Sequence, residues 1–220
     1  MYRFYTDKDL VIDTYIELDR DELHHLKKVL RVRPKEKIEI VNGNGELAIG
    51  YYEDTIKVLS VDSQATPQKT LSLIQAIPEK SHLEFILEKG TEIGITDFIF
   101  FPAEKSKIKE ISDSFLLRMK KITISAMKQC KRLYLPTISI LKIDDLKELS
   151  YPLYIGDPNG KKFLPPSESA GFIIGPESGF SKKELNFLKT ECMATSTTLS
   201  SNILRAETAS IVAAYLICSC

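Results

Sequence analysis

The sequence predicts an α/β protein in which a β-rich N-terminal segment is followed by a parallel sheet covered by helices. Turn-separated segments of alternating polarity fill the first part of the chain, whereas short apolar strands alternate with helical patterns in the rest. Between them lies a polar, proline-bearing stretch at residues 64–68. With 220 residues, the chain is long enough for a small and a medium core, so we expect domains at 1–68 and 69–220.

Within the first segment, the clearest signal is a β-hairpin. Lys37–Val41 alternates apolar and polar residues, Asn-Gly-Asn-Gly follows at 42–45, and the alternation resumes at 47–52. Asparagine and glycine tolerate the positive φ of tight turns, which favours a hairpin here. Residues 55–61 predict a further strand, and residues 21–30 predict a short helix with acidic residues near its start.

The second segment alternates strands with helices. Strands are predicted at 71–77, 97–101, 151–155, 171–174 and 193–199, and helices at 79–93, 111–132, directly after Ser181 and at 207–218. The helix after Ser181 is marked by a capping box, Ser181-Lys-Lys-Glu184. Strands joined by helices form a parallel sheet whose two faces are both covered.

Composition places the chain among ordinary globular proteins. It has 43% hydrophobic residues, 27% charged residues and a formal net charge of +0. The first residues lack the apolar region of a secretory signal, and no apolar run is long enough to cross a bilayer, so we expect a cytoplasmic protein. The four cysteines form no paired framework; Cys218 and Cys220 are interpreted as the end of the last helix, and no metal is expected.

Several common catalytic motifs are missing from the sequence. No GxGxxG follows a strand, and no GxxxxGK[ST], GxSxG, HExxH or HxE…CxxC occurs. This argues against hydride transfer on a dinucleotide fold, NTP hydrolysis, acyl hydrolysis and zinc-dependent deamination.

Two loops are the candidates for chemistry, because open parallel sheets bind ligands beyond the carboxyl ends of their strands. Residues 175–180, Gly-Pro-Glu-Ser-Gly-Phe, follow one strand, and residues 199–209 follow another and carry Arg205 and Glu207. Glycine and proline make a rigid loop that exposes backbone groups to a ligand. Taken alone, the first loop could equally be a simple strand-to-helix turn, and Arg205 with Glu207 could be a surface ion pair.

Basic residues cluster in two stretches, one within 27–37 and one within 105–132. Such clusters pair with nucleic-acid phosphates, although a solvated helix face is the ordinary alternative for lysines. The arginines are harder to explain as solvated surface, since the guanidinium fork suits phosphate.

Several segments together resemble the ribosomal RNA small subunit methyltransferase E family of the SPOUT superfamily. They are Arg3-Phe4, His-Leu-Lys-Lys-Val-Leu-Arg at 25–31, Asn-Gly-Asn-Gly at 42–45, Glu-Lys-Gly-Thr-Glu-Ile-Gly at 88–94, Ser-Ala-Met-Lys-Gln-Cys-Lys-Arg at 125–132, Ile-Gly-Pro-Glu at 174–177 and Ile-Leu-Arg-Ala-Glu-Thr-Ala at 203–209. The last two are the most specific, and the resemblance runs nearly end to end.

The resemblance implies a SPOUT-type knotted parallel sheet (trefoil knot) with an N-terminal PUA-like β-barrel domain. It implies S-adenosyl-L-methionine as cofactor, a homodimer through the knotted domain, and methylation of N3 of a uridine in 16S ribosomal RNA of the small ribosomal subunit. Two alternatives stay open: a SPOUT methyltransferase for another ribosomal or transfer RNA site, and a non-catalytic RNA-binding factor of ribosome assembly.

The resemblance also implies site residues. The cofactor-binding residues are Ile77, Pro78, Ile174, Gly175, Pro176, Glu177, Gly179, Leu199, Ser200, Ser201, Ile203, Leu204 and Ala209. The RNA-binding residues are Arg3, Arg31, Arg33, Lys89, Glu92, Lys105, Gln129 and Arg132. Three positions depart from the family pattern: Ser178 and Ser200 stand where glycine is usual, and Lys105 where arginine is usual.

The expected catalytic residues are Arg205, Glu177 and Glu207. Uridine N3 carries a proton at neutral pH, so a group must remove or share it. Arg205 is expected to stabilise negative charge on a uridine carbonyl oxygen. Glu177 or Glu207 is expected to accept the proton or to orient Arg205, and the sequence does not choose between them.

Overall fold

A computed structural model describes residues 1–163 and 168–219, so Cys220, which we interpreted with Cys218 above, lies outside the described residues. The chain forms two compact units. One contains Met1–Pro67 and Ile124–Leu135, and the other contains Gln68–Thr123 and Pro136–Cys220. No helix in the described part of the chain is long and apolar enough to cross a membrane.

The first unit is built on a five-stranded sheet with the order β1-β3-β4-β5-β2. Its strands are β1 (Arg3–Tyr5), β2 (Tyr15–Ile16), β3 (Lys37–Val41), β4 (Glu46–Tyr52) and β5 (Ile56–Ser63). β1 pairs in parallel with β3, and the other pairs are antiparallel. The predicted hairpin is confirmed: β3 and β4 pair, and Gly43 and Gly45 take φ values of +77° and +93° in the turn.

The predicted helix at 21–30 is present in two parts. α1 (Arg20–His24) begins after Asp19, whose Oδ1 accepts a hydrogen bond from the Glu22 amide at 2.7 Å. One π-helical segment, His25–Leu30, then continues it and buries Leu26 completely. No sequence pattern predicted this wider turn, which ends at Arg31 with φ +52°.

Residues 124–135 belong to the first compact unit together with Met1–Pro67. The reason is long-range contact that sequence patterns do not reveal. The amide of Gly45 donates to the carbonyl of Leu133 at 3.0 Å, and Lys128 forms a half-buried ion pair with Glu22. The aromatic hydroxyl of Tyr134 donates to the carbonyl of Gln64 at 2.7 Å.

The second unit carries a six-stranded sheet with the order β11-β9-β10-β6-β7-β8, and every pair in it is parallel, as predicted. Its strands are β6 (Leu71–Ala76), β7 (Asp97–Phe101), β8 (Thr137–Ile140), β9 (Leu153–Lys162), β10 (Ala170–Ile174) and β11 (Thr195–Thr198). Its helices are α2 (Lys80–Ile93), α4 (Lys182–Thr190) and α5 (Ala206–Cys218), with a 3-10 helix at Ile143–Glu148; α3 (Asp113–Gln129) begins here and ends in the first unit. β8 and the 3-10 helix were not predicted.

Both faces of this sheet are buried, which confirms the prediction of a parallel sheet covered on both faces. Phe98 and Phe100 of β7 pack on one face among residues of α2, α3 and α5. Their neighbours Ile99 and Phe101 point to the other face, where the 3-10 helix and α4 contribute Leu146 and Leu188. Alternation along a strand therefore fills two apolar layers, as expected for a parallel sheet enclosed by helices.

Candidate functional site

A cavity of about 610 Å³ lies in the second unit, beyond the carboxyl ends of β10 and β11. Both loops singled out in the sequence line it. The expected site residues found in its wall are Ile174, Gly175, Pro176, Glu177, Gly179, Leu199, Ser200, Ile203, Leu204, Arg205, Glu207 and Ala209. The loops are separated along the chain, and the parallel sheet brings them to one edge.

Three expected residues do not line the cavity. Ile77 is 1% exposed because its side chain packs in the apolar layer that contains Leu83 and Phe98. Pro78 is buried beside it, and Ser201 is exposed on the second loop. Ile77 and Pro78, which follow β6, are therefore buried in the second unit and are not part of the cavity wall.

A buried glutamine holds the first loop, residues 175–180. Gln75 of β6 is fully buried, and its amide nitrogen donates to the carbonyl of Gly175 at 3.2 Å. The hydroxyl of Ser210, in α5, donates to the Gln75 side-chain oxygen. A buried amide with its hydrogen bonds satisfied fixes the groups around it, so the loop start is tied to both β6 and α5.

The far end of the first loop is braced by aromatic and cationic side chains. Phe180 stacks on Phe101 with ring centroids 6.3 Å apart. A Cβ at position 175 would approach the Phe180 ring to 3.1 Å, which explains glycine there. The ammonium of Lys105 donates to the carbonyls of Ser178 and Phe180 at 3.5 and 3.3 Å. Lys105, expected at the RNA, thus contacts the cavity loop.

The predicted capping box is formed in full. The Ser181 hydroxyl accepts from the Glu184 amide at 3.2 Å, and the Glu184 carboxylate accepts from the Ser181 amide at 2.8 Å. The same carboxylate, only 8% exposed, accepts from the Glu104 amide at 2.6 Å. The start of α4 is therefore joined to the loop that follows β7.

Three ionisable side chains meet at the cavity wall. Nδ1 of His82, in the first turn of α2, lies 3.3 Å from Oε1 of Glu177 and 3.9 Å from Oε2 of Glu207. The Glu79 amide donates to the same Glu177 oxygen at 3.2 Å. Burial by itself raises the pKa of Glu177, but hydrogen bonds from its own amide, the Glu79 amide and His82 outweigh it and lower that pKa below 4.5.

The second loop, residues 199–205, is held by local hydrogen bonds. The Ser200 hydroxyl accepts from the Asn202 amide at 3.2 Å, and the Ser200 carbonyl accepts from the Thr198 hydroxyl at 3.0 Å. Arg205 is the residue before α5, and its carbonyl accepts from the Ala209 amide at 2.8 Å. Ile203 is 87% exposed, so the loop carries an apolar side chain at the cavity mouth.

A third wall of the cavity was not predicted from the sequence. Residues 156–158 of β9 line it because the pairing of β9 with β11 jumps from Ile155–Ser196 to Lys161–Thr197. The intervening residues bulge outward, and a Cβ at Gly160 would come within 2.4 Å of the Thr197 amide nitrogen. The turn-forming sequence Asp-Pro-Asn-Gly at 157–160 was the available signal.

Asp157 supplies a carboxylate to this third wall. Burial raises its pKa, yet the Asn159 amide and the Lys189 ammonium, at 3.0 Å each, lower it below its ordinary value. Within the described residues there is no cluster of histidine, cysteine, aspartate and glutamate side chains that could hold a metal ion.

Comparison with known proteins identifies the family. A model described as RNA methyltransferase domain matches residues 65–218, and one described as RNA methyltransferase PUA domain matches residues 18–59. A ribosomal RNA small subunit methyltransferase E of Rickettsia conorii is 30% identical over 96% of this chain and 92% of its own length. The chain belongs to the ribosomal RNA small subunit methyltransferase E family.

Other members of this family agree in sequence and in fold. The protein of the same name from Buchnera aphidicola is 28% identical, over 96% of this chain and 90% of its own. The crystal structure of a ribosomal RNA small subunit methyltransferase E from Neisseria gonorrhoeae, bound to S-adenosyl methionine, superposes with a TM-score of 0.87 at 28% identity. That superposition covers 97% of this chain and 95% of the other, and it supports the SPOUT-like assignment of the parallel sheet.

The RNA-binding residues expected from the small subunit methyltransferase E resemblance fall in both units. Arg3, Arg31, Arg33, Gln129 and Arg132 belong to the first, and Lys89, Glu92 and Lys105 to the second. Arg31 and Arg33 are exposed. Arg3 is 9% exposed and its Nε donates to Glu39 at 2.7 Å, so it supports the sheet of the first unit. Lys89 donates to Glu88 and Glu92, at 2.7 and 2.9 Å.

Proposed function

We propose that this protein transfers a methyl group from S-adenosyl-L-methionine to N3 of one uridine in 16S ribosomal RNA. The observation that carries the proposal is the meeting of the loops 175–180 and 199–205 at one cavity. These are the segments most specific to the family, and a family relative binds S-adenosyl methionine. The relatives are named for methylation of small-subunit ribosomal RNA, which supports the substrate class.

The cavity fits such a methyl donor in size and in charge. Its volume of about 610 Å³ lies within the range of roughly 300–1,000 Å³ that is typical of small-molecule sites. Its wall contains the carboxylates of Glu79, Asp157, Glu177 and Glu207 against the cations of Lys107 and Arg205. This excess of negative charge suits a positively charged ligand.

The residues in the wall divide into holding and reacting groups. S-adenosyl-L-methionine, when bound, supplies a methyl group already activated by the sulfonium. Ile174, Leu199 and Leu204 offer apolar surface to the ligand, and the glycines 175 and 179 let the backbone approach it. The protein then mainly orients the reacting partners, which is a large source of rate for a bimolecular step.

Arg205 is proposed to stabilise negative charge on a uridine carbonyl oxygen as N3 loses its proton. Its position as the residue before α5 supports this role, because the helix amino terminus adds positive potential next to the guanidinium. Glu177 and Glu207 are the two carboxylates of the proposed catalytic site. Each has an oxygen within 4 Å of Nδ1 of His82.

RNA binding is proposed for the exposed cations. Arg31 and Arg33 stand in the segment matched by the PUA domain model, and guanidinium groups suit phosphate. The division into an RNA-holding domain, 1–68, with a PUA-like β-barrel and a methyl-transferring domain, 69–220, is part of the proposal. For RNA, shape and phosphate contacts are expected to dominate over base reading.

A trefoil knot in the second domain, a homodimer through that domain and a cytoplasmic location complete the proposal. The dimer is supported by large side chains left exposed on the second loop and on α5. Ile203 is 87% exposed and Tyr215, on α5, is 62% exposed. A Tyr215→Lys variant is expected to become monomeric in light scattering after size exclusion.

The test is to map methylated uridines in 16S RNA from a deletion strain, with and without the protein restored. One N3-methyluridine that disappears and returns supports the proposal. A modified nucleotide in transfer or large-subunit RNA would instead assign the protein to another site. A protein that binds ribosomal RNA but gives no heat with S-adenosyl-L-methionine would be a non-catalytic assembly factor.

A further inference from the structure

His82 is the histidine that lines the cavity, and it was not among the site residues predicted from the sequence. The chain has three histidines, and the other two, His24 and His25, belong to the first unit. The His82 side chain is 33% exposed and lines the cavity, with Nδ1 facing Glu177 and Glu207. It lies on α2, a separate element from the two loops.

The hydrogen bond to Glu177 determines which ring nitrogen is free. The lowered pKa of Glu177 keeps its carboxylate ionised at neutral pH, and an ionised carboxylate only accepts hydrogen bonds. Nδ1 of His82 must therefore carry the ring proton. In the neutral ring, Nε2 then has a free lone pair and can accept a proton.

The charged groups around His82 come from four elements. Glu79 starts α2 and bonds to Lys107, which follows β7; Glu177 follows β10; Arg205 and Glu207 stand at the start of α5. The carboxylates of Glu177 and Glu207 lie nearest to the ring, and the cations of Arg205 and Lys107 line the same cavity.

A carboxylate is a poorer proton acceptor here than an imidazole. Glu177 already accepts from the Glu79 amide and His82, and those bonds make it a weaker base. A general base works best when its pKa is near the working pH, and imidazole has an ordinary pKa of about 6.5.

We infer that His82 is the general base that takes the N3 proton of the target uridine, with Glu177 as the positioning residue that holds its ring. This inference rests on the proposed function. The N3–H bond breaks, its proton goes to Nε2 of His82, and its electron pair stays on N3. That pair forms the new bond to the methyl carbon while the carbon–sulfur pair leaves with the sulfur, and His82 then releases the proton to solvent.

The test compares His82→Gln and His82→Ala with wild type and with His24→Ala as a matched control. Glutamine keeps a donor for Glu177 but is not a base at these pH values. Both His82 variants are expected to lose about 10²- to 10⁴-fold in kcat at pH 7, the usual worth of a general base. Their rate should then rise continuously with pH as uridine ionises by itself, and added imidazole should restore part of the rate of His82→Ala.

Two readouts separate a base from a structural residue. Calorimetry should give the same affinity for S-adenosyl-L-methionine in wild type and in His82→Gln. Nitrogen NMR of the neutral His82 ring should show the proton on Nδ1. Wild-type kcat and pH profile in both variants, a proton on Nε2, or a loss of rate matched by a loss of donor affinity would each overturn the inference. Because wild type must methylate 16S RNA for this comparison, its failure to do so sinks the proposed function separately.

Discussion

The two loops of the cavity are held in different ways. Loop 175–180 is tied to other elements through Gln75, Lys105 and the stack of Phe180 on Phe101, and Glu177 accepts from the start of α2. The hydrogen bonds found for loop 199–205 in the described part of the chain stay within residues 198–209.

This difference assigns the loops different tasks. A loop fixed by buried and cross-linked contacts is preorganised, and preorganisation contributes to affinity because little ordering is left to do on binding. A loop whose hydrogen bonds stay local adjusts more readily to its ligand, and such loops are typical of segments that close over a site. We therefore expect substitutions in the first loop to change stability and donor affinity, and those in the second to change rate.

Among substitutions in the two loops, the largest expected effect is that of Arg205→Ala in the second loop. Removing one preorganised group that stabilises a developing negative charge costs about 10²- to 10³-fold in kcat. Donor affinity should change little, since Arg205 acts on the RNA substrate. Arg205→Lys, which keeps the charge, should retain part of the rate. Wild-type turnover of Arg205→Ala with the donor bound would remove this residue from the mechanism.

Gln75→Leu should be the most damaging change beneath the first loop. It removes the Gln75 amide from the Gly175 carbonyl, whereas the Ser210 hydroxyl keeps its bond to the Ala206 carbonyl, and an unpaired buried polar group costs about 1–3 kcal/mol. Urea unfolding should show this loss together with weaker donor binding. Ser210→Ala is the matched control, because it removes one of these bonds and should cost less. Equal donor affinity in Gln75→Leu and wild type would argue against bracing by Gln75.

Gly179→Ala tests the backbone of the first loop alone. Gly179 has φ +68°, and an added Cβ would meet nothing within 4 Å, so the cost is conformational and about 1–2 kcal/mol. Gly179→Asn should cost less, because asparagine tolerates this region better. Ser201→Ala, at an exposed position of the second loop, should stay within about 0.5 kcal/mol. Equal stabilities of Gly179→Ala, Gly179→Asn and Ser201→Ala would contradict the proposed difference between the two loops.

The smallest effect is the pH dependence contributed by Glu177. Its pKa in the folded protein is lower than the ordinary 4.5, so the folded state favours the ionised form. This contribution is present above pH 4.5 and is lost as the pH falls through the folded-state pKa. Unfolding of wild type and Glu177→Gln should therefore differ less at pH 3 than at pH 7. If the difference in unfolding free energy between wild type and Glu177→Gln grew on acidification, the predicted pH dependence would be wrong.

Local rules predicted much of the fold. The Ser181–Glu184 capping box and the hairpin turn at 42–45 follow from residue type and spacing, and both form as expected. The meeting of the two loops follows from a general property of parallel sheets, helped by the family resemblance. These features depend on neighbours in sequence or on a rule common to all such sheets.

The features of the fold and the site that were not predicted depend on contacts between residues far apart in the sequence. The bulge at 156–160 exists because β11 pairs with both ends of β9, and Lys105 reaches loop carbonyls through a long flexible side chain. His82 occupies an ordinary helical position in the sequence, and only the approach of Glu177 and Glu207 gives it a chemical setting. Neither the periodicity nor the composition of a sequence predicts which distant side chains lie close together in the fold.

The central claim is that the cavity between loops 175–180 and 199–205 holds the methyl donor. A crystal structure determined at saturating S-adenosyl-L-methionine tests it most directly. We predict density for the donor in contact with Gly175 on one side and Leu199 on the other. Density at another place on the molecule, or a cavity with no donor in it, would contradict the account.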